Sequence, residues 1–168
     1  MTSSTLGLLT QITLVGATPT AMVAGLMFCF DHTVMPGLAT LDDGDHVTAF
    51  GRIDVPIPNP WMLVTYLASP VLTALGLALT LLDGDGRRAL WMGVAMVLVV
   101  AAVAITAVVH LPLNAQVRGA AAGSTQTADS TNPAHLLLTR WRPWNVVRTV
   151  TSVAAVVALC LAVLSERA

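Results

Sequence analysis

Residues 89–110 read ALWMGVAMVLVVAAVAITAVVH, an apolar run with no charged residue before His110. A helix rising 1.5 Å per residue needs ~20 such residues to cross the hydrocarbon core of a bilayer. A soluble domain is a poor alternative, because 55% of the 168 residues are apolar and only 10% are charged. The run therefore reads as a transmembrane helix, and the same test extends to the rest of the chain.

Three further runs pass it, at about 6–30, 61–82 and 145–164. The fold class predicted is all-α, a four-transmembrane-helix antiparallel bundle forming one domain over residues 1–168. Asp83 to Arg88 is a turn-rich hairpin, too short to hold a site, that makes the second and third helices antiparallel neighbours. The other connections, Asp31 to Pro60 and Leu111 to Trp144, are two long loops that emerge on one membrane face. The small residues from Gly119 to Thr127, followed by Asn132-Pro133, read as a flexible excursion. No Lys or Arg precedes Arg52, so the first run lacks the basic start of a secretory signal and is read as a retained span.

The formal charge is −1 and all eight basic residues are Arg. No basic patch or tail results, so nucleic acid is not an expected partner. The expected partner is the lipid bilayer, with a multi-pass, cell-membrane location. Arg87, Arg88 and Arg167 fall on one side, and Arg52, Arg118, Arg140, Arg142 and Arg148 on the other, which leaves orientation open. Ala17, Ala21 and Gly25 recur every four residues, the spacing that lets membrane helices approach closely, within the bundle or against an oligomeric or membrane partner. Pro19 and Pro70 predict kinks, and Thr65, Ser69 and Thr73 place hydroxyls on one face of the second span. Trp61, Trp91, Trp141 and Trp144 stand at span ends, where amphipathic rings favour the headgroup layer. Cys29 and Cys160 fall near opposite faces, too far apart to pair.

Chemistry concentrates at the face that carries the long loops. Thr106, His110, Asn114 and Arg118 are spaced by four and share a face if helix continues through Leu111-Pro112-Leu113, which Pro112 opposes. His110 is either a site residue or an imidazole wetted at the interface. Trp144, Asn145 and Arg148 share a face of the fourth span, and Arg148 either snorkels to the surface or points inward to bind an oxygen. Asp31 and His32 end the first span on the same side. A neutral imidazole in that group suits a general base or an axial ligand, and Asp31 either orients it or forms a salt bridge with Arg148 that closes the bundle.

The chain has no P-loop, HExxH, paired-Cys motif, dinucleotide fingerprint or GxSxG elbow. Zinc hydrolases and nucleotide enzymes are thereby disfavoured. His32, His46, His110 and His135 show no compact ligand spacing, so no metal site is predicted; haem or metal through His32 and His110 is the minority reading.

Ala24-Gly25-Leu26-Met27-Phe28 leading into Val34-Met35-Pro36-Gly37-Leu38 resembles the first-helix signature of a family of four-helix integral membrane proteins that includes the anthrone oxygenases. Ile57-Pro58-Asn59-Pro60, Leu111-Pro112-Leu113-Asn114 and Trp141 through Trp144-Asn145 to Arg148 extend the resemblance, in order, across nearly the whole chain. The oxygenase members share the Asn and Arg positions that here are Asn114, Asn145 and Arg148, whereas Asp31 and His32 depart from the pattern. The resemblance implies oxygenation of an electron-rich lipophilic aromatic by molecular oxygen, without a protein-encoded redox centre. His110 is then the base, Arg148 and Asn114 hold the phenolate-like oxygen, and Asp31, His32, Arg118, Trp141, Trp144 and Asn145 line the substrate. The alternative is a non-catalytic membrane subunit or small permease-like partner.

Overall fold

The computed structural model describes residues 3–123 and 132–165, so Arg167 and most of the predicted excursion lie outside the described residues. The described chain is helical, with no strand among the described residues: α1 (Ser3–Cys29), α2 (Met35–Leu38), α3 (Asp43–Asp54), α4 (Pro60–Asp83), α5 (Gly86–Ile105), α6 (Leu111–Ala121), α7 (Pro133–Leu136) and α8 (Arg142–Leu164). Four helical stretches are long and apolar enough to cross a membrane, Gly7–Leu38, Pro60–Asp83, Gly86–Ala121 and Pro133–Leu164. The chain is a multi-pass membrane protein.

Three of these stretches outrun the apolar spans because helix does not stop at the membrane boundary. Each passes through a π turn, at Phe30–Val34, Thr106–His110 and Leu137–Trp141. A proline stands two residues beyond each one, Pro36, Pro112 and Pro143. A proline has no N–H and its ring crowds the carbonyl four residues back. Those carbonyls belong to His32, Val108 and Thr139, all inside the widened turns. Pro112 therefore does not end the third helix, and Thr106, His110, Asn114 and Arg118 do lie along one continuous rod. The two long connections are correspondingly more helical than loops: α3 and α2 occupy the first, α6 and α7 much of the second.

α1 packs against α4 and α8, and α5 against the same two, which closes an up-and-down ring of four antiparallel neighbours. α3, α6 and α7 pack on one another and cap one end. Beneath the cap lies an apolar cluster centred on Met35, Phe50, Val117, Leu137 and Trp141, while Met92, Ala95, Ala158, Leu159 and Ala162 pack between α5 and α8. Asn59 accepts from the Met62 N–H at 2.9 Å and starts α4 just ahead of Pro60. Gly84, at φ 78°, ends the same helix in the left-handed conformation that a side chain would strain.

Two expectations about this bundle change. Close approach occurs at Gly16, where an added Cβ would sit 3.3 Å from the Leu72 Cβ, while Ala21 and Gly25 are exposed on the outside of α1. Arg88 is fully buried, not a loop charge: its Nη2 donates to the Thr10 hydroxyl at 2.9 Å and its Nε to the Ala162 carbonyl at 3.3 Å, tying α5 to α1 and α8. Thr20 and Ser69 join α1 to α4 through a 2.7 Å hydrogen bond. The Cys29 and Cys160 thiols are both free and exposed.

Gly16→Leu should overpack the α1–α4 contact and cost about 1–3 kcal/mol, whereas Gly25→Leu, pointing into open space, should change stability by less than about 0.5 kcal/mol. Thermal unfolding of the two variants in detergent compares them directly; equal losses would contradict this helix contact. A pH effect follows from His46 in the cap, which is buried with Nε2 lacking a hydrogen-bond partner among the described residues. Burial pulls its imidazole below the ordinary histidine value, against the opposing pull of the Asp43 carboxylate. The unfolded chain then takes up the proton first, so stability present above about pH 6.5 is lost as pH falls through the lowered folded value. His46→Gln should flatten that slope in unfolding measured from pH 7.5 to 5.

Candidate functional site

The three π turns converge on one cavity of about 410 Å³ between the bundle and its cap. That volume lies within the range of small-molecule sites. Most of its wall is apolar, with Leu26, Met27 and Phe30 from the first helix, Ile57 and Pro58 ahead of α4, and Met62 and Leu63 within it. Its polar groups are few and fall into two sets.

The first set hangs from the cap. Asp54 is buried, accepts from Asn114 Nδ2 at 2.6 Å, and forms an ion pair with Arg118. The Asn114 Oδ1 in turn accepts from the Trp141 indole N–H at 2.7 Å. Trp141 is itself buried, edge-on to Phe50 at 5.5 Å and to His110 at 5.2 Å. It is an internal hub and not an interfacial ring. The signal for Asp54 is in the sequence: His46, Phe50 and Asp54 are spaced by four, one face of α3, and all three are buried.

The second set rises from the bundle. Arg148 is 5% exposed and points inward: Nη1 donates to the Thr106 hydroxyl at 3.0 Å and Nη2 to Asn145 Oδ1. Asn145 is anchored by a 3.1 Å bond from its Nδ2 to the Met27 carbonyl, so it stands behind the guanidinium, outside the cavity wall. Tyr66, the chain's single tyrosine and unforeseen in the sequence, donates to the same Thr106 oxygen at 2.5 Å. Arg148 Nε has no partner among the described residues.

His110 sits between the two sets, 1% exposed. Its Nδ1 faces the Ile105 carbonyl at 3.4 Å, the five-residue spacing of the π turn. A carbonyl only accepts, so this contact is a hydrogen bond in the tautomer with the proton on Nδ1, which leaves Nε2 as the lone pair. Nε2 has no hydrogen-bond partner among the described residues. His110, Asn114, Arg118, Trp141 and Arg148 thus all border the cavity.

Asp31, His32 and Trp144 do not. Asp31 accepts from the Thr149 hydroxyl at 2.7 Å and forms no salt bridge with Arg148. His32 is exposed and stacks on Phe28 at 5.4 Å, because the wide turn carries its ring to the outer face. His32 and His110 therefore cannot ligate a common centre, and no group of three or more candidate ligands clusters among the described residues. Trp144 is partly exposed outside the cavity wall, in keeping with an interfacial ring.

A family model described as anthrone oxygenase matches residues 61–158, which takes in α4, the whole third helix and α8 as far as Ala158. No curated protein and no solved structure matches the chain.

Asp54 joins α3 to α6 through two partners, so Asp54→Ala should lower stability by about 1–3 kcal/mol. Arg118→Ala should cost less, because the Arg118 side chain is 39% exposed and surface pairs contribute little. Thermal unfolding of the two variants would contradict this if Arg118→Ala were the worse.

Proposed function

The chain belongs to the anthrone oxygenase family, and on that premise we propose that it is a cofactor-independent oxygenase of the cell membrane that oxidises a lipophilic, electron-rich aromatic with molecular oxygen. The observation that carries this reading is the pairing of an unpartnered His110 Nε2 lone pair with an under-used Arg148 guanidinium on one apolar cavity. A base and an oxyanion donor in a water-poor site are the two groups that carbanion formation requires.

His110 Nε2 removes a proton from the activated methylene of the substrate. The electron pair left on carbon delocalises onto the ring oxygen, where the free N–H groups of Arg148 hold it by charge-assisted hydrogen bonds. Electrons from this anion reduce oxygen as a C–O bond forms, and the proton on His110 completes the hydroperoxide. Loss of the remaining C–H proton with cleavage of the O–O bond releases water and leaves a carbonyl. One oxygen molecule is consumed for each methylene converted to a carbonyl and one water, so the substrate supplies all the electrons.

Asn114 takes a different role from the one its position suggests. Both ends of its carboxamide are engaged, by Asp54 and by Trp141, so it positions the cavity wall instead of holding substrate oxygen. Asn145 positions Arg148 in the same way. Trp141 sets the His110 ring by its edge contact. The substrate reaches the cavity from the bilayer between α4 and the third helix, a reading supported by the exposed, apolar Pro58, Leu63 and Leu111 on the cavity wall there.

A second reading, a non-catalytic subunit, draws on Ala21 and Gly25, which leave a small-residue strip on the outside of α1. The two readings part on mutation. With an anthrone as substrate, His110→Ala and Arg148→Gln should each cut oxygen uptake about 100-fold or more while leaving the fold intact, and Ala21→Leu should leave uptake unchanged. Absence of uptake by the folded wild-type protein, together with loss of a co-purifying membrane protein in Ala21→Leu, would favour the subunit.

A further inference from the structure

Behind Tyr66, on the side away from the large cavity, a chamber of about 20 Å³ lies among α1, α4, α5 and α8. Four of the residues that line it bear hydroxyls, Thr20, Tyr66, Ser69 and Ser152, and the others are Val23, Val99, Ala102 and Val103. The space is enough for a single water and too small for a larger polar ligand.

The hydrogen positions follow from the carbonyls nearby. Thr20 donates to the Gly16 carbonyl at 3.0 Å, so in its 2.7 Å contact with Ser69 it is Ser69 that donates. The Ser69 oxygen is left with lone pairs only. Thr106 donates to the Ala102 carbonyl at 2.9 Å, so Tyr66 must donate to Thr106, and the Tyr66 oxygen is likewise left as an acceptor. Ser152, on α8, is 3% exposed, and its hydroxyl makes no hydrogen bond with another described residue. The chamber therefore presents two acceptors and one donor without a partner.

We propose that this chamber is a binding site for one water molecule, which donates to Ser69 Oγ and Tyr66 Oη and accepts from Ser152 Oγ. Three hydrogen bonds are the usual complement of an internal water, and the pattern uses each group in the one sense left open to it. The water links α4 to α8, two helices that sit diagonally in the ring. It also fixes the rotor of Tyr66: the phenolic hydrogen is held on Thr106, and the water fills the acceptor side. The site shares Tyr66 with the large cavity but lies on its far side, and the water takes no part in the reaction proposed above.

A structure of the detergent- or nanodisc-embedded protein at about 2 Å or better decides the matter. A density peak at hydrogen-bond distance from all three oxygens, about 2.6–3.2 Å, is expected in the wild type. The peak should vanish in Ser152→Val, whose methyls fill the chamber, and lose occupancy in Ser69→Ala, which removes one acceptor. An empty chamber in a map that shows other internal waters, or a peak unchanged in both variants, would overturn the proposal. Should Ser152→Val not fold, Ser69→Ala and the wild type suffice for the comparison.

Discussion

Inside hydrocarbon a helix cannot simply end, because no water is present to take up the carbonyls and N–H groups it would release. Proline forces that issue by removing one donor and pushing on the carbonyl of the preceding turn. At Pro36, Pro112 and Pro143 the chain answers by widening the turn before the proline, and the helix continues beyond it. The continuation is what lets α6 and α7 stand above the bundle, meet α3 and form a cap. The widened turns themselves direct Phe30, His110 and Trp141 to the space below that cap.

Within that frame the polar groups divide into two chains that do not touch. One descends from the cap through Asp54, Asn114 and Trp141; the other climbs from the bundle through Asn145, Arg148, Thr106 and Tyr66. His110 lies between them, reached by the first through a ring edge and bonded to neither by Nε2. Such an arrangement leaves reactive capacity at two atoms, Nε2 of His110 and Nε of Arg148, and satisfies almost everything around them. In a low-dielectric site unpartnered groups are costly, which is why they mark places where something else binds.

The bundle was legible in the sequence because span length and apolarity are set by the bilayer and need no tertiary information. The helical character of the long connections was not: Pro112 argues locally for a break, and the widened turn that absorbs it is a property of the whole helix. His110 and Arg148 could be found because an ionisable group in an apolar run stands out by itself. Asp54 and Tyr66 could not be placed so easily, since their meaning lies in partners 60 and 40 residues away. The small-residue strip misled for a related reason: spacing identifies a face but not its neighbour, and among the described residues no helix covers the face carrying Ala21 and Gly25. His32 ends the first span on the same membrane side as His110 and Arg148, but side alone does not fix direction, and the wide turn at Phe30–Val34 sends its ring outward onto Phe28.

A π turn holds one residue more than the α-helix around it, the same change of register that adding a single codon would make. Deleting one residue within Phe30–Val34 would rotate everything beyond by about 100°, carrying Met35 and Leu38 off the buried cluster they occupy. The same holds for the other two turns. A plain bundle of four regular helices and one with a roofed cavity thus differ by as few as three residues, each placed just before a proline. Lineages of such proteins should therefore differ by isolated one-residue gaps just before these prolines, with the spans on either side preserved in length.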